Sequence, residues 1–196
     1  MQQISNNVIM MAGGEPMPTQ LQGGQMEEYL KVSLLGTSDL NPDGSGDWQS
    51  KFTQGLGLIT DPNKGVIMYK NMKFLVMNCK SMGVNNPNPT YDNPEFMNRV
   101  SIDLDYAQTS DAIFFNFLKK SKAPFPLLEF CLLAQSGKMV VRCPEEYENY
   151  GFVRIICERY NVPLLPGSTT SVLSVLQTMM AFIPKFQEIQ RFRLPE

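Results

Sequence analysis

The chain of 196 residues contains no histidine, and this absence limits the chemistry that it can perform. Imidazole is the commonest acid-base group near neutral pH, and it activates the nucleophile in Ser-His-Asp and Cys-His schemes. Such schemes are excluded here. Any acid-base or nucleophilic step must therefore use carboxylates, tyrosine, lysine, cysteine or hydroxyl groups.

Cysteines are few, and their spacing argues against a metal site. The chain has four cysteines and no C-x-x-C pair, and without histidine a zinc site would need thiolates and carboxylates alone. We therefore predict no metal. Three of the cysteines fall in apolar or strand-like surroundings and are predicted to be buried free thiols: Cys131, Cys143 and Cys157.

Long apolar runs and a strong charge imbalance are also lacking. No stretch of about 18 apolar residues could span a bilayer, and no basic segment followed by an apolar one indicates a signal peptide. The formal net charge of −2 provides no basic surface for a nucleic acid. These absences predict a soluble, cytoplasmic protein that binds neither a membrane nor a nucleic-acid polymer.

What the chain does contain is an alternation of short apolar strands and helices. Continuous apolar runs such as "KFLVMN" and "AIFFNFL" are separated by stretches with helical spacing, which is typical of a parallel sheet covered on both faces. We predict an α/β domain over residues 29–167, a flavodoxin- or Rossmann-like three-layer sandwich with a five-stranded, mostly parallel sheet. Residues 1–28, rich in Gly, Gln, Pro and Met, are predicted to be a flexible arm, and residues 168–196 a C-terminal helix and tail.

Parallel strands bring the residues that follow them to one edge of the sheet, where ligands bind in such folds. The loops after Leu35, Asn78, Phe117 and Cys143 should share this edge. Glu129 is notable because it interrupts the apolar stretch "APFPLLEFCLLAQSG" shortly after one of these loops. Glu129 could lie in the first turn of a helix, where its carboxylate would only interact favourably with the helix dipole. Alternatively, the carboxylate could lie in a pocket and take part in a reaction.

Three other acids precede this segment. Asp103 and Asp105 are two positions apart on one predicted helix and point to different faces, so one could face a site while the other faces solvent. Both could equally be solvated. Asp111 lies in "TSDAI", which is typical of a helix-to-strand turn at the opposite edge of the sheet, and is interpreted as structural.

The order of several motifs also carries information. They are "GTSD", "DWQ", "NNPNP", "SIDLDYAQTSDAIFF", "APFPLLEFCLLAQSGKMVVRCPEEY" and "VRIICERYNVPL", spread over roughly Val32 to Leu165. In order and separation they resemble the nucleoside 2-deoxyribosyltransferase family and its nucleotide N-hydrolase-like relatives. The resemblance implies a nucleoside or nucleotide substrate, a homo-oligomer, and a reaction that needs no metal or organic cofactor.

The resemblance also assigns roles to individual residues. Glu129 matches the family's catalytic glutamate, the nucleophile that attacks the anomeric carbon, and Asp103 matches the acid that contacts the sugar or assists departure of the base. The neighbouring Leu128 and Phe125 would desolvate the Glu129 carboxylate, and the helix dipole would keep it ionised. Six residues are expected to bind the substrate: Gly36, Thr37, Ser38, Trp48, Asn86 and Asn116. The aromatic residue that the family often has on its first strand is not evident here; Trp48, Tyr91 or Phe96 could replace it, or could belong to the core.

Two features favour a protein that has kept this fold and lost the reaction. Ala123 stands six residues before Glu129, where the family usually has Asp or Ser. The arm of residues 1–28 has a composition suited to docking onto a protein partner. The alternative to an enzyme is therefore a binding or structural protein. A third interpretation is an NAD- or ADP-ribose-related binder, but no G-x-G-x-x-G or P-loop motif supports it.

Overall fold

The computed structural model describes residues 1–5, 7–12, 29–37, 47–66, 69–70, 72–79, 91–122 and 124–193. The strands are β1 (Gln2–Ser5), β2 (Val8–Ala12), β3 (Tyr29–Gly36), β4 (Lys73–Asn78), β5 (Ala112–Asn116), β6 (Met139–Cys143) and β7 (Leu164–Pro166). The helices are α1 (Trp48–Ile59), α2 (Pro94–Thr109), α3 (Pro124–Leu133), α4 (Tyr150–Tyr160), α5 (Val172–Phe182) and α6 (Pro184–Arg193). None of these helices is both long and apolar enough to cross a membrane.

The described strands form one sheet in the order β1-β2-β4-β3-β5-β6-β7. Strand β1 pairs with β2 antiparallel, and every other neighbouring pair is parallel. The prediction of an α/β fold with a mostly parallel sheet is confirmed. Strands β3 to β7, the five that the sequence predicts, lie in the relative order 2-1-3-4-5. The strand order reverses between β3 and β5, which opens a crevice at the carboxyl ends of these two strands.

The sheet has seven described strands rather than five, because part of the predicted arm contributes β1 and β2. Val8 and Met11 of β2 are buried, one on each face of the sheet. Asn7 fixes the turn before β2: its Nδ2 donates to the Thr60 carbonyl at 2.7 Å, and its carbonyl accepts from the Phe74 N–H at 2.8 Å. A five-residue apolar run among Gln, Asn and Gly is too short to show a period, so the pattern does not predict this pairing.

The strands divide their side chains between two apolar clusters, one on each face of the sheet. In β5, Ile113 and Phe115 enter the cluster with buried residues of α2, α3 and α4, whereas Ala112 and Phe114 enter the cluster with those of α1, α5 and α6. Strand side chains alternate between faces, so burial on both faces produces a continuous apolar run. Below, the two sides are called the α2-α3-α4 face and the α1-α5-α6 face.

The C-terminal segment contains two helices rather than the single helix that the sequence predicts. Helix α5 ends before Ile183, whose ψ of 120° is extended, and α6 begins at Pro184. Proline has no N–H for the helix ladder and disfavours a helical backbone in the residue before it, so Pro184 itself explains the break. Leu176 and Met179 are buried, which makes α5 part of the core of the domain.

Candidate active site

The crevice between β3 and β5 is closed at its base by a contact between Gly36 and Asn116. These residues end the two strands and are register partners in the parallel pair. Gly36 has a φ of +122°, and a Cβ added to it would lie 2.1 Å from the Asn116 carbonyl oxygen. Only glycine fits here, because both the backbone conformation and the space exclude a side chain.

Thr37 joins the loops that follow these two strands. Its N–H donates to the Asn116 carbonyl at 2.9 Å, and its Oγ1 accepts from the Leu118 N–H at 2.7 Å. Its carbonyl accepts from the Trp48 Nε1–H at 2.9 Å. The structure thus brings four of the predicted binding residues, Gly36, Thr37, Trp48 and Asn116, to one end of the sheet.

Trp48 begins α1 and packs on the α1-α5-α6 face. Its ring meets Phe114 edge-on, with ring centroids 5.6 Å apart and an interplanar angle of 90°. The indole therefore has both a structural contact and a partly exposed surface. The remaining predicted binding residues, Ser38 and Asn86, lie outside the described residues, as does Ala123.

The two predicted catalytic acids lie on the α2-α3-α4 face. Asp103 on α2 is 4% exposed and Asp105 is exposed, because positions two apart on a helix point in different directions. Glu129 on α3 is also 4% exposed. Asp111 lies away from both at the amino end of β5, where its Oδ2 accepts from the Lys31 N–H at 2.8 Å.

Burial and the neighbouring charge of Asp103 raise the pKa of Glu129 from 4.5 to about 7. Burial is the larger cause, because the charged form of a carboxyl group loses more hydration than the neutral form. The Oε2 atom of Glu129 is buried and has no hydrogen-bond partner among the described residues. A pKa near 7 means that the ionised and the protonated forms are both populated at neutral pH.

Two expectations about the surroundings of Glu129 are wrong. Glu129 is the sixth residue of α3, and the first turn of that helix contains no acid, so the dipole effect of a first-turn position does not apply. Leu128 and Phe125 are 61% and 37% exposed. The buried residues of the helix include Pro126 and Leu133, which are one turn from Glu129 in sequence and therefore lie on the same side of the helix.

Cys79 joins the two acids, although the sequence analysis did not include it among the site residues. Its Sγ donates to the backbone carbonyl of Asp103 at 4.0 Å. Burial raises the pKa of the Cys79 thiol well above its usual value, and the charges of Asp103 and Glu129 raise it further, while Arg99 acts in the opposite direction. The thiol therefore stays protonated. Its place directly after "KFLVMN", at the carboxyl edge of the sheet, was the signal that could have identified it.

This group of residues offers the chemistry of carboxylates. In the described part of the chain, no three His, Cys, Asp or Glu residues are grouped so that they could hold a metal ion. A desolvated carboxyl group with a pKa near neutrality can act as a nucleophile when ionised and as a proton donor when protonated. A second acid close by can contact a substrate hydroxyl or assist a leaving group.

Neither Glu129 nor Asp103 lines any of three cavities that described residues form. The largest, about 950 Å³, lies among the loops after β5, β6 and β7. A second, of about 310 Å³, lies beside α1 and the start of α5. Arg142 of β6 lines both. Sequence reasoning missed Arg142 because in "KMVVRCP" it reads as a single polar position in a buried strand.

Comparison with known proteins shows the family of the chain. A family model described as nucleoside 2-deoxyribosyltransferase like matches residues 30–147, which is more than half of the chain. The matched range runs from β3 to the loop after β6 and includes Gly36, Thr37, Cys79, Asp103 and Glu129. No curated protein matches the chain.

Proposed function

Because the chain belongs to the nucleoside 2-deoxyribosyltransferase-like family, we propose that it cleaves or transfers the N-glycosidic bond of a nucleoside or nucleotide, with Glu129 as nucleophile. The family supports the general activity and the class of substrate. The role of Glu129 is argued from its surroundings.

The observation that carries this proposal is the convergence of two buried acids from different helices. Asp103 of α2 and Glu129 of α3 are each 4% exposed, and they lie close enough for the charge of one to raise the pKa of the other. Burial of a charge is unfavourable unless it is compensated. A protein that places two carboxyl groups together in this way destabilises itself, and a reaction that uses them is a physical reason to retain the arrangement.

The reaction proceeds in two displacements. The ionised Glu129 carboxylate attacks the anomeric carbon, the C–N bond breaks, and its electron pair leaves with the base, which takes up a proton. The product is a glycosyl ester on Glu129. Water or the nitrogen of a second base then attacks the same carbon, the ester bond breaks, and the carboxylate is regenerated. Water as acceptor gives hydrolysis, and a base as acceptor gives transfer.

Desolvation serves this mechanism in two ways. A carboxylate without hydrogen-bond donors is more nucleophilic than a solvated one, and its charge stabilises the oxocarbenium-like transition state more strongly in a region of low dielectric constant. Asp103 provides the second acid, which contacts the sugar or assists departure of the base. Cys79, with its thiol protonated, serves as an uncharged neighbour.

The experiment that tests the proposal is incubation of the purified protein with 2′-deoxynucleosides and their 5′-monophosphates, with and without a free acceptor base. Released and exchanged bases are separated by chromatography. Glu129→Ala and Glu129→Gln should lower the rate by roughly 10³-fold or more. Glu148→Gln, at an exposed position, is the matched control and should retain the wild-type rate. Turnover by both Glu129 variants at the wild-type rate would exclude Glu129 as the nucleophile.

A competing function is binding without catalysis, and the near-complete burial of Glu129 favours it. The docking of the whole predicted arm on another protein is less supported, since Gln2–Ser5 and Val8–Ala12 pair within the chain's own sheet. Calorimetry with the same nucleosides separates the two functions. Saturable binding of a folded protein that turns over none of the panel would establish the binding role.

A further inference from the structure

The cavity of about 310 Å³ beside α1 and the start of α5 differs in chemistry from the acid pair. Among the described residues of its lining, Lys51 and Arg142 are charged and none is a carboxylate. Trp48 forms part of the wall, and the segment Thr169–Ser171 forms the side next to α5. We call this space the Arg142 cavity.

Arg142 is the central cation of this cavity. Its Nε donates to Asn116 Oδ1 at 2.7 Å, and its Nη1 donates to the Thr169 carbonyl at 2.8 Å. Both acceptors are neutral, and burial lowers the pKa of the guanidinium without a compensating carboxylate. A half-buried cation held by neutral oxygens retains an attraction for an anion, because none of its hydrogen-bond partners among the described residues carries a negative charge.

Asn116 is a buried polar neighbour of Arg142. It is 0% exposed, its Oδ1 is engaged by Arg142, and its Nδ2 has no hydrogen-bond partner among the described residues. A buried amide N–H without an acceptor is costly.

The start of α5 adds donors to the same wall. Ser171 is the N-cap, and its Oγ accepts from the Ser174 N–H. The N–H groups of Val172 and Leu173 have no carbonyl partner within the helix, because the first turn of any helix leaves such groups open. The positive end of the helix dipole favours an anion at this place.

We propose that the Arg142 cavity binds a phosphate group, either as the free ion or as a small phosphate monoester. Arg142 contributes a planar pair of donors that suits phosphate oxygens, and Lys51 contributes a second positive charge. The cavity lies on the α1-α5-α6 face, whereas Glu129 and Asp103 lie on the α2-α3-α4 face. The site is therefore separate from the acid pair, and its test does not depend on the proposed reaction.

The larger neighbouring cavity is less suited to an anion. Arg142 lines it as well, but so do Glu145 and Glu146, and Lys119 is already paired with Glu146 at 2.7 Å. The negative charges of these two glutamates would repel an anionic ligand and oppose the attraction of the cations. The described lining of the Arg142 cavity contains no such acids.

The test uses Trp48, which is the only tryptophan of the chain and lies in the wall of the cavity. The full-length protein is titrated with inorganic phosphate and with glycerol 3-phosphate at constant ionic strength, with sodium chloride and glycerol as blanks. We expect a saturable change in tryptophan fluorescence with the two phosphate compounds only. Broadening of the phosphorus NMR line on addition of protein measures the same binding without the fluorophore.

Four variants make the assignment specific. Arg142→Gln should weaken phosphate binding roughly 10- to 100-fold, and Arg142→Lys less, since it keeps the charge and loses the planar donors. Lys51→Gln, at an exposed position, should weaken binding by a few-fold and tests the site even if the Arg142 variants do not fold. Arg154→Gln removes an exposed arginine of α4 and should bind as the wild type does.

The relative affinities of the two probes identify the form of the ligand. Tighter binding of glycerol 3-phosphate assigns the cavity to a phosphate monoester, and equal or weaker binding assigns it to the free ion. The proposal is overturned by the absence of saturable binding in both fluorescence and NMR. It is also overturned by equal binding in wild type, Lys51→Gln and a folded Arg142 variant.

Discussion

The substitution Glu129→Gln should change how the stability of the protein depends on pH. Glutamine has nearly the same shape as glutamate but does not titrate. In the wild type, Glu129 has a pKa raised from 4.5 to about 7. Below pH 4.5 the group is protonated in both the folded and the unfolded chain. Between these values the unfolded chain has lost a proton that the folded protein retains, so the free energy of unfolding falls as the pH rises.

The expected magnitude follows from the two pKa values. One pKa unit corresponds to about 1.4 kcal/mol, so the ionised Glu129 lowers the free energy of unfolding by about 3 kcal/mol once the pH exceeds its folded pKa. The Gln variant does not have this loss. The free energy of unfolding of the Gln variant, relative to that of the wild type, should increase by about 3 kcal/mol from acidic to alkaline pH. This corresponds to roughly 6–12 °C in Tm for a chain of this size.

The assay is thermal unfolding followed by circular dichroism, from about pH 4.5 to about pH 8.5, for both proteins in parallel. The difference between the two Tm curves isolates the titration of Glu129, because the other groups titrate in both proteins. Glu148→Gln, at an exposed position, should give a curve parallel to the wild type. Curves for Glu129→Gln that also run parallel to the wild type would refute the raised pKa, and with it the argument that this carboxyl group is desolvated.

Three further outcomes are expected. In the glycosidic assay, kcat/KM should rise with pH with a midpoint near pH 7. Asp103→Asn should move this midpoint to lower pH because it removes a neighbouring negative charge, whereas Asp105→Asn should leave it in place. A midpoint that Asp103→Asn does not move would contradict the coupling of the two acids. Gly36→Ala should lower the free energy of unfolding, measured by urea denaturation, by roughly 3 kcal/mol or more, because the added Cβ lies 2.1 Å from a β5 carbonyl oxygen. Gly137→Ala, with φ +69° and no atom within 4 Å of the added Cβ, should lower it by only about 1 kcal/mol. Equal losses would refute the steric argument. The predicted homo-oligomer should associate through the exposed apolar side of α3. Leu132→Glu, at a position 72% exposed, should therefore reduce the sedimentation coefficient to that of a monomer. A wild-type protein that sediments as a monomer would contradict this prediction.

The sequence predicts the central part of the fold because each strand there is buried on both faces. In "AIFFN" the first four residues are apolar and only the last, Asn116, is polar, and β5 is buried at all five positions. Helical spacing likewise predicts that Asp103 and Asp105 point apart. The close contact of Gly36 with Asn116 follows from two strand ends at one edge of a parallel sheet, although the sequence cannot reveal that it excludes a side chain.

Other features depend on contacts that a local pattern does not contain. Strand β2 has few residues and is recognisable only when β4 is present as its partner. The pKa of Glu129 depends on Asp103, which lies on another helix, and on burial that the neighbouring Leu128 and Phe125 do not provide. The helix break at Pro184 is different, because proline is a local signal that was present in the sequence.

The pairing of β2 with β4 also has a consequence for the order of events during synthesis. Residues 8 and 74 are register partners, so the amino-terminal strand has no place to dock until β4 has left the ribosome. At about 5–20 residues per second, the apolar segment Val8–Ala12 waits for roughly 3–13 s without its neighbour. Without β2 in place, β4, which is buried at five of its six positions, would present an unpaired edge to other chains. Strands β1 and β2 are therefore made before the edge that they cover, and β2 can close that edge against pairing with other chains as soon as β4 has formed.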